Sequence, residues 1–134
     1  ALAHAMGHSF GAYFKIPHGR TVGLFLPYTM EFNLHGGVAR YAEIARYLGL
    51  SDGKDEAEAS RALIDAIRQL EKRIGLPTSI AEMGISRERF DEALAEIVPH
   101  AEVDNGILAS VRMPESEELQ QLFACAYEGQ SVDF

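Results

Sequence analysis

The chain is 134 residues long, 47 % apolar and 24 % charged, with a formal net charge of −8. That length suits one unit with its own hydrophobic core, and the acid excess repels a phosphate backbone, which argues against nucleic-acid binding. No apolar run approaches the ~20 residues that cross a bilayer, no secretory leader is visible, and the single cysteine, Cys125, excludes an internal disulfide or a cysteine-rich zinc site, so a cytoplasmic setting is expected.

The spacing predicts helices nearly throughout. The first runs from Leu2 to about Phe14, rich in Ala and Gly, until Pro17 interrupts. The second, from about Gly19 to Asn33, carries Val22, Leu24, Phe25, Leu26 and Met30. It is apolar almost all round, as a core helix is, and Pro27 should bend it. Gly36-Gly37 reads as a turn. A third helix, Val38 to Leu48, places Val38, Tyr41, Ala42, Ala45 and Leu48 at helical spacing, and Gly49 caps it.

After the turn at 51–55, a fourth helix from about Glu56 to Ile74 presents Ala59, Leu63, Ala66, Ile67, Leu70 and Ile74 as its apolar stripe, with Gly75 and Pro77 stopping it. Asp52, Asp55, Glu56 and Glu58 are a solvated acidic turn and helix start, favoured by the helix dipole. A short turn of helix follows Ser79 and ends at Gly84. Ser86 caps a helix from Arg87 to Ile97, which Pro99 ends. Residues 100–113 read as an irregular loop containing Gly106. The last helix opens at 113–118, runs to about Tyr127 and buries Leu119, Leu122, Phe123 and Ala126; the tail is extended. The fold class is therefore all-α, a helical bundle with short connections.

Chemistry concentrates at the start. His4 and His8 stand at i and i+4, on one helical face with Gly7 and Gly11, leaving nearly bare backbone between two imidazoles. That bare face has room for something large and flat. His18, between Pro17 and Gly19, sits where an imidazole can turn back toward the first helix. Neutral imidazole suits Zn²⁺ and Fe²⁺, but the nearest acidic residue along the chain is Glu31, and a catalytic metal takes three or four protein ligands. Packing or surface histidines are the plain alternative. His35 and His100 read as loop histidines, Cys125 as a small buried or half-buried side chain in preference to a nucleophile, and Tyr13 and Phe14 as core aromatics before cleft residues.

The whole pattern, H-x-x-x-H-x-x-G-x-x-x-x-x-P-H-G from His4 to Gly19, resembles the signature of the iron-containing (group III) alcohol dehydrogenases. Leu26-Pro27, Met30 and Phe32-Asn33 resemble the segment that follows it; Tyr41 to Gly49, Gly75-Leu76-Pro77 with Ser79 and Gly84, and Glu115 to Tyr127 resemble later landmarks. Where the family often has Asn-Pro-Arg before the last helix, this chain has Ser110-Val111-Arg112. The resemblance implies the C-terminal part of the dehydroquinate synthase-like helical domain of that family.

It further implies one Fe²⁺ or Zn²⁺ held by an Asp and three His, the last two matching His4 and His18. The other two ligands lie on an earlier helix that this chain does not contain. His8 matches a histidine beside the metal, near nicotinamide and substrate, assigned to proton relay or positioning. The family's α/β nucleotide-binding half binds NAD or NADP; no G-x-G-x-x-G after a strand occurs here. Residues 1–134 are thus expected to form a single, incomplete helical domain, beginning inside a helix of a longer protein. Its expected partners are the missing nucleotide-binding domain, a small alcohol or aldehyde substrate, and further copies of itself through exposed apolar faces. Alone it should be inactive. The competing readings are a stand-alone helical interaction module, or a small metal-binding protein using His4, His8 and His18 together.

Overall fold

The computed structural model describes residues 1–37 and 40–134. Six α-helices follow one another: α1 Leu2–Phe14, α2 His18–His35, α3 Tyr41–Tyr47, α4 Glu56–Arg73, α5 Arg87–Glu102 and α6 Ser116–Glu128, with 3₁₀ turns at Ala81–Met83 and Asn105–Ala109. All regular structure among the described residues is helical. Val38, expected to open the third helix, lies outside the described residues.

Two clusters of buried side chains hold these helices. The larger gathers α1, α2, α5 and α6 around Met6, Phe10, Phe25, Phe90, Ile97 and Phe123. Phe25 is its hinge, meeting Phe10 and Phe123 edge-on, each with ring centroids 5.4 Å away. Each such buried aromatic stabilises the fold by about 2–3 kcal/mol. The smaller cluster joins Met30 of α2, Ala42 and Ala45 of α3, and Ala59, Leu63 and Ile64 of α4.

The α1–α2 corner is the tightest contact. A methyl group on Gly7 would lie 2.7 Å from Val22 Cγ2 and 3.0 Å from Val22 N; on Gly11 it would lie 3.1 Å from both Ile16 O and Thr21 Oγ1. The bare glycine face is therefore filled chiefly by α2, because small residues let two backbones approach, and it is not the open platform that the spacing suggests. Lys15 ends α1 with φ 59°, and the Ile16 N–H donates to Gly11 O at 3.0 Å. This tight reversal sends Pro17 and His18 back along α1.

Three expectations are corrected. Pro99 does not end α5, which continues to Glu102. Val98 and Ala101 are buried in the core and hold the last turn, while the carbonyl freed by proline belongs to exposed Ala95, where water reaches it. The stripe of α4 is rotated: Leu70 and Ile74 are exposed, while Ala59, Ser60, Leu63, Ile64 and Glu71 are buried. Residues 100–113 are not wholly irregular, since α5 extends into them and a 3₁₀ turn occupies 105–109.

Arg112 pins the end of the chain. Its guanidinium lies 3.7 Å over the Phe32 ring, donates to the carbonyls of Phe32 (3.1 Å) and Phe134 (2.8 Å), and pairs with Glu118. Glu31 accepts from Arg68 at 2.9 Å and from the Val132 N–H at 3.0 Å. The tail is thereby extended against α2 without pairing as a strand.

Candidate functional site

His4 and His8 project from successive turns of α1, and His18 is the first residue of α2. The reversal after Lys15 brings the three rings to one corner. Ring centroids are 5.6 Å apart for His4–His8, 5.4 Å for His4–His18 and 5.1 Å for His8–His18. All three residues are exposed. The corner is fixed from behind by Gly7 against Val22 and by Ile107, which is buried beneath the 105–109 turn.

Sequence proximity misses one member. Asp104 lies 96 residues beyond His8, yet its Oδ2 accepts from His8 Nδ1 at 2.9 Å. Its Oδ1 accepts from the Gly106 N–H at 2.7 Å, capping the 3₁₀ turn. The corner does hold a carboxylate, contrary to the expectation drawn from Glu31. Asp104-Asn105-Gly106 carries a cap signal, but no local pattern reveals its long-range partner. Burial alone would raise the Asp104 carboxyl; the hydrogen bonds from His8 and Gly106 outweigh it and hold the group below its usual range.

Because Asp104 accepts from Nδ1–H, the neutral His8 ring carries its lone pair on Nε2. That atom faces His18 Nε2 at 3.2 Å, so His18 is the donor in this contact. His4 is held below its usual pKa, first by partial burial and then by the positive N-terminus and the other two histidines. A neutral imidazole is the form that ligates metals. His4 and His18 place two imidazoles at a shared corner, which suits half of a four-ligand set, and ligation through His18 Nε2 would require that nitrogen to give up the proton it donates to His8. Among the described residues, no group of three or more His, Cys, Asp or Glu side chains is arranged to hold a metal ion.

A shallow hollow of about 310 Å³ opens beside these rings, lined by Gly7, His8, Gly11, Ala12, Ile16 and His18. Tyr13 and Phe14 do not line it. Phe14 packs on Phe10, with centroids 4.7 Å apart, and Tyr13 is half exposed. His35 closes α2 and His100 lies in the last turn of α5, both exposed and both in helices where loops were expected. The Cys125 thiol is half-buried and pushed up by that burial, then by Asp133 and Glu31, which makes it a poor nucleophile. No described helix is long and apolar enough to cross a membrane.

The model of the Fe-containing alcohol dehydrogenase family, C-terminal, matches residues 1–127. The chain is 34 % identical over 133 residues to the NADPH-dependent butanol dehydrogenase of Clostridium saccharobutylicum, an alignment covering 99 % of this chain and 34 % of that protein. It is 35 % identical over 128 residues to an alcohol dehydrogenase of Thermococcus barophilus, covering 94 % and 31 %. The iron-containing alcohol dehydrogenase of Thermococcus thioreducens superposes with a TM-score of 0.80 at 32 % identity, over 96 % of this chain and 32 % of that one. An alcohol dehydrogenase from Oenococcus oeni gives 0.81 at 34 % identity, over 93 % and 32 %. The chain spans about a third of the length of these relatives.

Proposed function

The chain belongs to the Fe-containing alcohol dehydrogenase family, and from that premise we propose that it is the helical, metal-site part of an NAD(P)-linked oxidoreductase. The enzyme would interconvert a small alcohol with its aldehyde or ketone. The observation that carries this reading is the convergence of His4, His8 and His18 at one exposed corner. In this reading His4 and His18 hold an Fe²⁺ or Zn²⁺ together with an Asp and a His from another part of the enzyme. When bound, the ion supplies Lewis acidity toward the substrate oxygen, and NAD(P) accepts or returns the hydride.

The chain's own residues do the rest. His4 and His18 fix where the substrate oxygen lies. His8, whose lone pair is on Nε2, takes the hydroxyl proton during oxidation and returns it during reduction. The hollow beside Gly7 and Gly11 leaves space next to His8 for a small substrate or the edge of the nicotinamide. The chain alone is then inactive, because two ligands and the dinucleotide site lie elsewhere.

The test is metal content and turnover of the complete enzyme. His4→Ala and His18→Ala should each lower metal affinity by at least ~10–100-fold, whereas His35→Ala should not. Undiminished metal binding in both site variants would refute the assignment.

A further inference from the structure

The Asp104 contact has no role in the reading above. We infer that Asp104 is the positioning residue of this site: it locks His8 in the Nδ1–H tautomer, so that the Nε2 lone pair faces the corner shared with His18. The inference rests on the proposed proton-relay role of His8 and goes one residue beyond it.

Three observations carry it. Asp104 divides its two oxygens between two tasks. Oδ1 caps the turn through the Gly106 N–H at 2.7 Å, and Oδ2 is left for His8 Nδ1 at 2.9 Å. The carboxylate is also placed by a rigid support. Ile107 anchors the turn in the core, and a methyl group on Gly106 would crowd Asp104 Oδ1 at 2.8 Å and lie 3.5 Å from His4 Cβ. Gly106 thus leaves the room that the Asp104 cap needs, and the turn lies in ordinary contact with α1 beside His4. Finally, the pair is poorly suited to stabilising the fold. The His8 side chain is 43 % exposed and that of Asp104 21 %, and partly solvated pairs contribute ~1 kcal/mol or less. What such a bond does set is ring orientation and tautomer, the task a carboxylate performs behind a catalytic or metal-bound imidazole.

Asp104→Asn separates this role from the cap. Asn Oδ1 still accepts from the Gly106 N–H, while Nδ2 now offers a proton to His8 Nδ1. The imidazole must then carry its own proton on Nε2, with no lone pair facing the corner. Nitrogen NMR of the 134-residue chain reads the tautomer directly. The native chain should show His8 protonated at Nδ1 and Asp104→Asn should show it protonated at Nε2. In the complete enzyme, Asp104→Asn should lower kcat ~10–100-fold, with KM and bound metal unchanged, and His8→Ala combined with it should cost little more than either alone. An unchanged tautomer in Asp104→Asn overturns the inference and leaves the role of His8 standing. So does full kcat in Asp104→Asn where His8→Ala loses it. Full kcat in His8→Ala instead removes the relay reading, and the catalytic use of Asp104 with it.

Discussion

Gly7 tests the packing that sets the histidine corner. In Gly7→Ala the new methyl meets Val22 Cγ2 at 2.7 Å, Val22 N at 3.0 Å and Val22 Cα at 3.1 Å. Rotating the Val22 side chain relieves only the first of these. The other two are backbone, so α1 and α2 must part by a few tenths of an ångström along their contact. Overpacking of this kind costs ~2–3 kcal/mol, and Ala over Gly in a helix interior returns about 1 kcal/mol. The net loss is ~1–2 kcal/mol, a fall in Tm of about 4–8 °C for a chain of this size. Gly23→Ala is the matched control. Its methyl meets only Leu76 Cδ2, at 2.8 Å, the free end of a half-buried side chain, so the propensity gain dominates and stability holds or rises. Urea and thermal unfolding followed by far-UV circular dichroism measure both. Stability in Gly7→Ala equal to or above that of the native chain would refute the reasoning, since the backbone contacts would then not be limiting.

Two further outcomes are expected. Glu71 is buried, neither carboxylate oxygen has a hydrogen-bond partner, and burial pushes its pKa up to about 7 from 4.5, with Arg68 opposing. Folding therefore favours the protonated acid, and stability falls as pH rises from about 4.5, where the unfolded chain ionises, to about 7, where the folded chain does; the difference is at most ~3 kcal/mol. Glu71→Met should match the native chain near pH 4.5 and exceed it increasingly up to pH ~7; a pH-independent difference would contradict this. Val103, Leu108, Val111 and Met113 are exposed apolar side chains in or near the 105–109 turn, so the chain should self-associate and Val103→Ser with Leu108→Ser should weaken it. A concentration-independent monomer mass for the native chain in sedimentation would dismiss these side chains as an association surface.

Much of this was legible because the chain is helical and its caps are local. Asp55 and Ser86 start α4 and α5 by accepting from Glu58 N and Arg89 N, and Gly84 and Gly129 end their turns at positive φ. The histidine corner was legible because only thirteen residues separate His4 from His18 and a proline-bounded reversal joins them. What escaped depends on contacts distant in sequence. Pro99 reads as a stop until Ala101 is seen buried under it. Leu70 and Ile74 complete a plausible stripe, yet α2 covers the neighbouring face of α4, where Glu71 lies. Asp104 is a loop acid in sequence and a partner of His8 only in space.

The division of labour around α1 explains why the corner can be both exposed and well placed. Leu2, Ala5, Met6 and Phe10 are buried in the core, which resists any roll of the helix. Gly7 and Gly11 set its distance from α2, and the 105–109 turn braces it from the other side. His4 and His8 occupy the remaining edge. Their positions are therefore imposed largely by residues that do not carry the chemistry, and the rings contribute little to stability themselves. Truncating an exposed imidazole away from such anchors changes stability by about 0.5 kcal/mol or less, whereas Phe10→Ala should cost ~3–5 kcal/mol. A site arranged this way separates its chemistry from its folding. Loss of metal in His4→Ala or His18→Ala, with unfolding midpoints unmoved, would then report on ligation and not on a collapsed helix pair.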